Sequence, residues 1–90
     1  MSTVSRWTVD IYLHVKDGET HAEARLSTRD TRSLRGLGIA RCNPADWNVP
    51  EIGEELATAR ALSDLAHKLF DAAAGDIEAV THEHVALSQR

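Results

Sequence analysis

Apolar and polar residues alternate without interruption near the start of the chain. Trp7, Val9, Ile11, Leu13 and Val15 are apolar, and Thr8, Asp10, Tyr12 and His14 between them carry polar atoms. A period of two predicts a β-strand with one buried face. Asp17-Gly18 follows, the dipeptide that most readily adopts the positive φ angles of a two-residue type I′ hairpin turn. With that turn Lys16 pairs with Glu19, and Leu13, Ile11 and Val9 oppose Ala22, Ala24 and Leu26. On the outer face Asp10 falls opposite Arg25, and His14 opposite His21. Both faces agree on one register, which fixes it.

A third strand is expected from Ser33 to Arg41, after the polar stretch 27–32. A two-residue loop at Asp30-Thr31 places Leu37 and Ile39 on the core face, against Ala24 and Ala22. It leaves Leu34, Gly36 and Gly38 outside, and Leu34 then calls for a bulge. The two glycines mark a bend or a close neighbour, because glycine otherwise weakens a strand.

After a loop at 42–47, a helix start is written by Asn48 as N-cap, Pro50 in the first turn and Glu51 three residues after the cap. Trp47 and Ile52 have hydrophobic-staple spacing. Ile52, Leu56, Ala59, Leu62, Leu65, Ala66, Leu69, Phe70 and Ala73 step by three and four, forming one apolar stripe. Gly75 is a natural helix stop, and Asp76 can cap a second short helical segment with Ile77 and Val80 inside. The expected fold class is α+β: a three-stranded antiparallel β-meander followed by one long and one short helix packed on one sheet face. It forms one domain over residues 1–90 with an ordered core at about 6–85. Residues 49–74 make a helix roughly 39 Å long, and a nine-residue strand spans only about 30 Å. The overhang points to a second subunit as its cover.

Composition narrows the class without naming a function. With 42 % hydrophobic and 27 % charged residues the chain is a globular domain and not a disordered tail. No apolar run approaches the roughly 20 residues of a membrane-spanning helix, and residues 1–6 lack the apolar core of a signal peptide. The single cysteine, Cys42, leaves no internal disulfide. A cytoplasmic protein without membrane contact is expected.

The net charge of −4 is unevenly spread: residues 1–41 carry a net +2 and residues 42–90 a net −6. Arg25, Arg29, Arg32, Arg35 and Arg41 concentrate on the second and third strands and the turn between them. They are the candidate RNA- or ribosome-binding residues, since phosphate recognition needs clustered cations. Asp10, Glu23 and Asp30 interrupt them, and Tyr12 is the lone aromatic on the outer face.

Catalytic and metal chemistry find little footing. His82 and His84 lack a third ligand at suitable spacing, and a catalytic zinc needs three. Cys42 has no histidine with a sequence-defined reason to act as its base. Glu51, Glu54 and Glu55 complement the helix dipole. Gly36-Leu37-Gly38 lacks the third glycine and following helix of a dinucleotide loop, and there is no P-loop, nucleophile elbow or His-Glu-x-x-His. No enzyme, cofactor or metal is expected. His14 and His21, facing each other, would repel when both are protonated, so a mild pH sensitivity between about 5 and 7 is expected.

Trp-Thr-Val-Asp at 7–10, Gly-Leu-Gly-Ile-Ala-Arg at 36–41, Asn-Pro-Ala-Asp at 43–46, the stretch Val-Pro-Glu-Ile-Gly-Glu-Glu-Leu-Ala-Thr-Ala-Arg-Ala-Leu-Ser-Asp-Leu at 49–65 and Asp-Ile-Glu-Ala-Val-Thr-His at 76–82 carry a family resemblance. The chain resembles a family of short actinobacterial proteins of unknown function with a double-stranded-RNA-binding-domain-like fold. Some of its members are induced in hypoxic dormancy. The resemblance covers about residues 6–85. It implies a dimerising sheet-and-helix domain similar in shape to ribosome hibernation factors, and no catalytic residues. His21 and Glu23 stand where relatives often place basic residues, and Cys42 where they place an aliphatic one, which weakens an RNA-facing role. The leading helix and lysine cluster of a double-stranded-RNA-binding domain are missing. The expected function is a non-catalytic, stress- or dormancy-associated protein acting as a homodimer on the ribosome or its RNA. The alternative is a dimeric protein-interaction module that binds no nucleic acid.

Overall fold

A computed structural model describes residues 2–29, 33–41 and 50–82. Strands β1 (Thr8–Lys16), β2 (Glu19–Ser27) and β3 (Ser33–Arg41) form an antiparallel sheet in the order β1-β2-β3, and helix α1 (Pro50–Thr81) packs across one face. The fold is α+β, as the patterning predicts.

The β1–β2 hairpin has the expected register throughout: Val9 opposes Leu26, Asp10 Arg25, Ile11 Ala24, Leu13 Ala22, His14 His21 and Lys16 Glu19. Asp17 and Gly18 have φ of 51° and 75°, both positive as a type I′ turn requires.

β3 departs from expectation by one residue of parity. Leu26 opposes Leu34, Ala24 opposes Gly36, Ala22 opposes Gly38 and Thr20 opposes Ala40. Leu34, Gly36, Gly38 and Ala40 therefore face the helix, and Leu37 and Ile39, expected inside, are 55 % and 42 % exposed on the open face. Ser27 opposes Ser33, so the turn spans five residues and not two, and β3 needs no bulge. The reason is the helix seat. A Cβ on Gly38 would lie 2.2 Å from the carbonyl oxygen of Ala57 and 2.4 Å from the amide nitrogen of Ala61. Only a strand without side chains at these points lets the helix backbone come this close.

The helix face that packs on the sheet overlaps the predicted stripe only in part: Leu65 and Leu69 of that stripe are on it, but Ala57 and Ala61, which are not in the stripe, are at its centre. Its buried residues are Ala57, Ala61 and Leu65, packed with Ala22, Ala24, Leu26 and Ala40; Ile11, Leu34 and Leu69 flank them. Ile52, Leu56 and Leu62 of the expected stripe are 38 %, 47 % and 42 % exposed. Small side chains win the interface because the glycine floor rewards close approach.

The expected long and short helices run as one 32-residue helix through Gly75. A glycine costs a helix interior only about 1 kcal/mol relative to alanine, less than breaking a rod ordered on both sides of it. The helix ends instead at His82, which takes φ 61° and donates its N–H to the Glu78 carbonyl at 2.7 Å. The rod is about 48 Å long against strands of about 30 Å. The proposed N-cap Asn48, the Trp47 staple, Cys42 and His84 lie outside the described residues.

Candidate functional site

Alternation along the strands sends every second residue to the open face of the sheet. Register then arranges these residues in rows: Lys16-Glu19-Arg41, His14-His21-Ile39, Tyr12-Glu23-Leu37 and Asp10-Arg25-Arg35. Three of the five candidate arginines, Arg25, Arg35 and Arg41, share this face. Arg29 is exposed beyond the end of β2, and Arg32 lies outside the described residues.

Each of the three arginines on the face is matched to a glutamate of the central strand. Glu23 receives Arg25 Nε at 2.6 Å and Arg35 Nη1 at 3.2 Å. Glu19 receives Arg41 Nε at 2.9 Å and His21 Nε2 at 2.8 Å. The hydrogen bond from Arg25 holds the Glu23 carboxyl below its ordinary value, and the positive charges of Arg25 and Arg35 add to it against partial desolvation. The hydrogen bond with His21 does the same for Glu19, with Arg41 contributing. Arg25 is raised by the Glu23 bond, and its guanidinium also lies 4.2 Å over the Tyr12 ring. Arg25, Arg35 and Arg41 of the basic patch are thus each engaged by a carboxylate of the same face.

The two middle rows set the apolar side chains Tyr12, Leu37 and Ile39 among His14, His21 and Glu23. Tyr12, Leu37 and Ile39, with His14, His21 and Glu23, line a shallow depression of about 280 Å³. Leu37 and Ile39 were hidden from the sequence reading by the parity of β3. The two glycines, already the mark of a bend or a close neighbour, were the signal for the outward placement, because the close neighbour is the helix backbone on their own side of the strand.

The far edge of β3 is tied to the helix. The Leu37 N–H donates to Asp64 Oδ2 at 2.8 Å, Arg60 Nη1 donates to the Ile39 carbonyl at 2.7 Å, and Lys68 Nζ donates to the Arg35 carbonyl at 2.9 Å. The Leu37 bond, followed by that of Lys68, holds the Asp64 carboxyl below its ordinary value. Among the described residues no group of three or more His, Cys, Asp or Glu side chains is placed to hold a metal ion. No described helix is long and apolar enough to cross a membrane.

Comparison with known proteins agrees with this architecture. The sequence model of the Rv2632c-like family matches residues 5–86. The chain is 54 % identical over 80 residues to the uncharacterized protein Mb1767 of Mycobacterium bovis, covering 89 % of this chain and 84 % of that one. It is 51 % identical over 77 residues to the uncharacterized protein Rv2632c of Mycobacterium tuberculosis, covering 86 % and 82 %. The crystal structure of Rv2632c superposes with a TM-score of 0.82 at 46 % identity, over 91 % of this chain and 96 % of that one. The chain therefore belongs to the Rv2632c-like family.

Proposed function

We propose that the protein is a non-catalytic, dimeric protein-interaction module that presents the open face of its sheet to another protein. One observation carries this reading. Arg25, Arg35 and Arg41 are all matched to Glu19 or Glu23, while Tyr12, Leu37 and Ile39 stay exposed among them. A surface that mixes exposed apolar side chains with internally paired charges suits a protein partner. It suits phosphate poorly, because recruiting those arginines would strand two carboxylates beside a polyanion.

A second reading, association with ribosomes in stressed or dormant cells, follows the family resemblance. Its support in the fold is the gathering of three guanidinium groups on one face, with side-chain exposures of 52 %, 69 % and 77 %. One experiment separates the two. Purified protein is sedimented with ribosomes at about 50 and about 200 mM salt, beside an Arg25→Ala, Arg35→Ala, Arg41→Ala variant. In parallel, a photo-crosslinking residue replaces Leu37 in cells. The protein-binding reading expects no salt-sensitive sedimentation, and a discrete protein adduct that Ile39→Glu abolishes. Co-sedimentation that collapses at the higher salt and in the triple variant overturns it in favour of the ribosome.

A further inference from the structure

The open face of the sheet sorts its charges by depth. The side chains of Glu19 and Glu23, on the central strand, are 34 % and 19 % exposed, and those of Arg41 and Arg35, on β3, are 77 % and 69 % exposed. The carboxylates lie low and the guanidinium groups rise over them. Each ion pair engages one nitrogen, Nη1 of Arg35 and Nε of Arg41, and a guanidinium carries further N–H donors beside it. An approaching molecule therefore meets an ordered donor whose glutamate is already seated beneath it.

The strand sets the spacing of these donors. Arg35 and Arg41 stand on one row of β3, about 20 Å apart, with the exposed Leu37 and Ile39 between them. Arg25 joins the Arg35 end through the shared Glu23, and Lys16 joins the Arg41 end across Glu19. Each end thus sets two cations around one glutamate of the central strand. Asp10 lies at the β1 corner beyond Arg25, so the β2–β3 half of the face is the donor-rich one.

A sheet face also limits the form of its occupant. The backbone groups of the strands point along the sheet into their neighbours, so an extended segment laid on the face would leave its own N–H and C=O groups unpaired. A helix satisfies its backbone internally and docks by side chains alone. About 14 residues of helix cover 20 Å, and close to four whole turns return the chain to the same side.

We propose that the open face binds an amphipathic helix of another protein, whose apolar stripe runs between two carboxylates about 20 Å apart. Leu37 and Ile39 lie under the stripe, and Arg35 and Arg41 each donate to one carboxylate. The inference rests on the protein-binding reading above and names the chemistry of its partner. Charge complementarity selects the acidic helix, because a basic one would meet the guanidinium groups head on. A single carboxylate adds to a guanidinium from above while Glu19 or Glu23 keeps its place. A polyanion gains less, since it needs the net positive field that the glutamates cancel. The ion pairs also order the arginine side chains in advance, which lowers the entropy lost on docking.

Two synthetic helical peptides of about 20 residues test this on the full chain, followed by amide and arginine Nε chemical shifts. Both carry a leucine stripe on an alanine-rich helix; one has Glu, the other Gln, at two positions about 14 residues apart. The Glu peptide should shift Leu37, Ile39, Arg35 and Arg41 and bind about ten-fold more tightly than the Gln peptide. Arg35→Ala and Arg41→Ala should each weaken the Glu peptide about three-fold and leave the Gln peptide unchanged. Equal affinities with shifts still at Leu37 and Ile39 overturn the acidic partner and leave a protein-binding face standing. No shift with either peptide up to about 1 mM overturns the helix, and the Leu37 crosslink then decides the broader reading by itself. Shifts at Arg35 and Arg41 with a short single-stranded RNA, absent with both peptides and lost by about 200 mM salt, overturn the inference and that reading together.

Discussion

Gly36 lies directly beneath the backbone of Ala61. A Cβ on Gly36 would stand 2.1 Å from the Ala61 carbonyl oxygen and 2.4 Å from the amide nitrogen of Leu65. The obstacle is helix backbone, which cannot rotate away as a side chain does. Gly36→Ala and Gly38→Ala should each destabilise the protein by about 3 kcal/mol, at the upper end of overpacking costs. Gly75→Ala, which meets nothing within 4 Å, should stabilise it by about 0.5–1 kcal/mol by relieving a helical glycine. Urea denaturation of the three variants checks this. A neutral Gly36→Ala would mean that the helix backbone does not rest against this glycine.

The same contact explains which parts of the fold are legible in the residues. The β1–β2 register could be read because a specific turn and two independent faces, apolar against apolar and Asp10 against Arg25, all agree. On β3 a hydrophobicity count misleads. Leu37 and Ile39 are more apolar than Gly36 and Gly38, yet turning them inward would also turn Arg35 and Arg41 towards the helix. The glycines are inside because the helix needs a floor without side chains, a demand of tertiary contact that their spacing marks but a hydrophobicity count overrides. The arginines of the candidate site were visible as composition. Their neutralisation by Glu19 and Glu23 was not, because the Arg35 and Arg41 ion pairs depend on the parity of β3.

Leu62 and Leu65 share the helix but not its environment. Leu65 is 5 % exposed within the core and Leu62 is 42 % exposed. Leu65→Ala should cost about 2–4 kcal/mol through lost burial and a cavity. Leu62→Ala should cost less than about 1 kcal/mol in the same urea titration, with no cavity to leave behind. Equal losses would show that Leu62 is buried against the sheet as fully as Leu65.

Acid should loosen the fold through three carboxylates. Glu19, Glu23 and Asp64 are held below their ordinary values of 4.5, 4.5 and 3.8 by the hydrogen bonds they accept. A lowered folded-state value means that the folded chain binds fewer protons than the unfolded one. The stabilisation is therefore complete above the ordinary values and is lost as pH falls through them towards the lowered ones. The urea midpoint should stay level from pH 7 to about 5 and decline below about 4.5. Because all three groups are solvent-accessible the decline should be modest and should shrink further in high salt. A Glu23→Gln variant should show a shallower decline than the parent; an identical acid limb would remove Glu23 from the account.

If the glutamates of β2 are what silence the arginine face, removing their charge should awaken it. Glu19→Gln with Glu23→Gln leaves Arg25, Arg35 and Arg41 in place and raises the charge of the open face by two. The parent chain, at pI about 5.6, should pass a heparin column at low salt. The double variant should be retained and should elute as salt rises from about 50 to 200 mM, because its contacts to an anionic polymer release counterions. Adding Arg25→Ala and Arg35→Ala to the double variant should abolish retention, which separates these guanidinium groups from the overall charge of the chain. Equal retention of parent and double variant would show that the arginines were accessible to polyanions all along, and would move the balance of the two functional readings towards the ribosome.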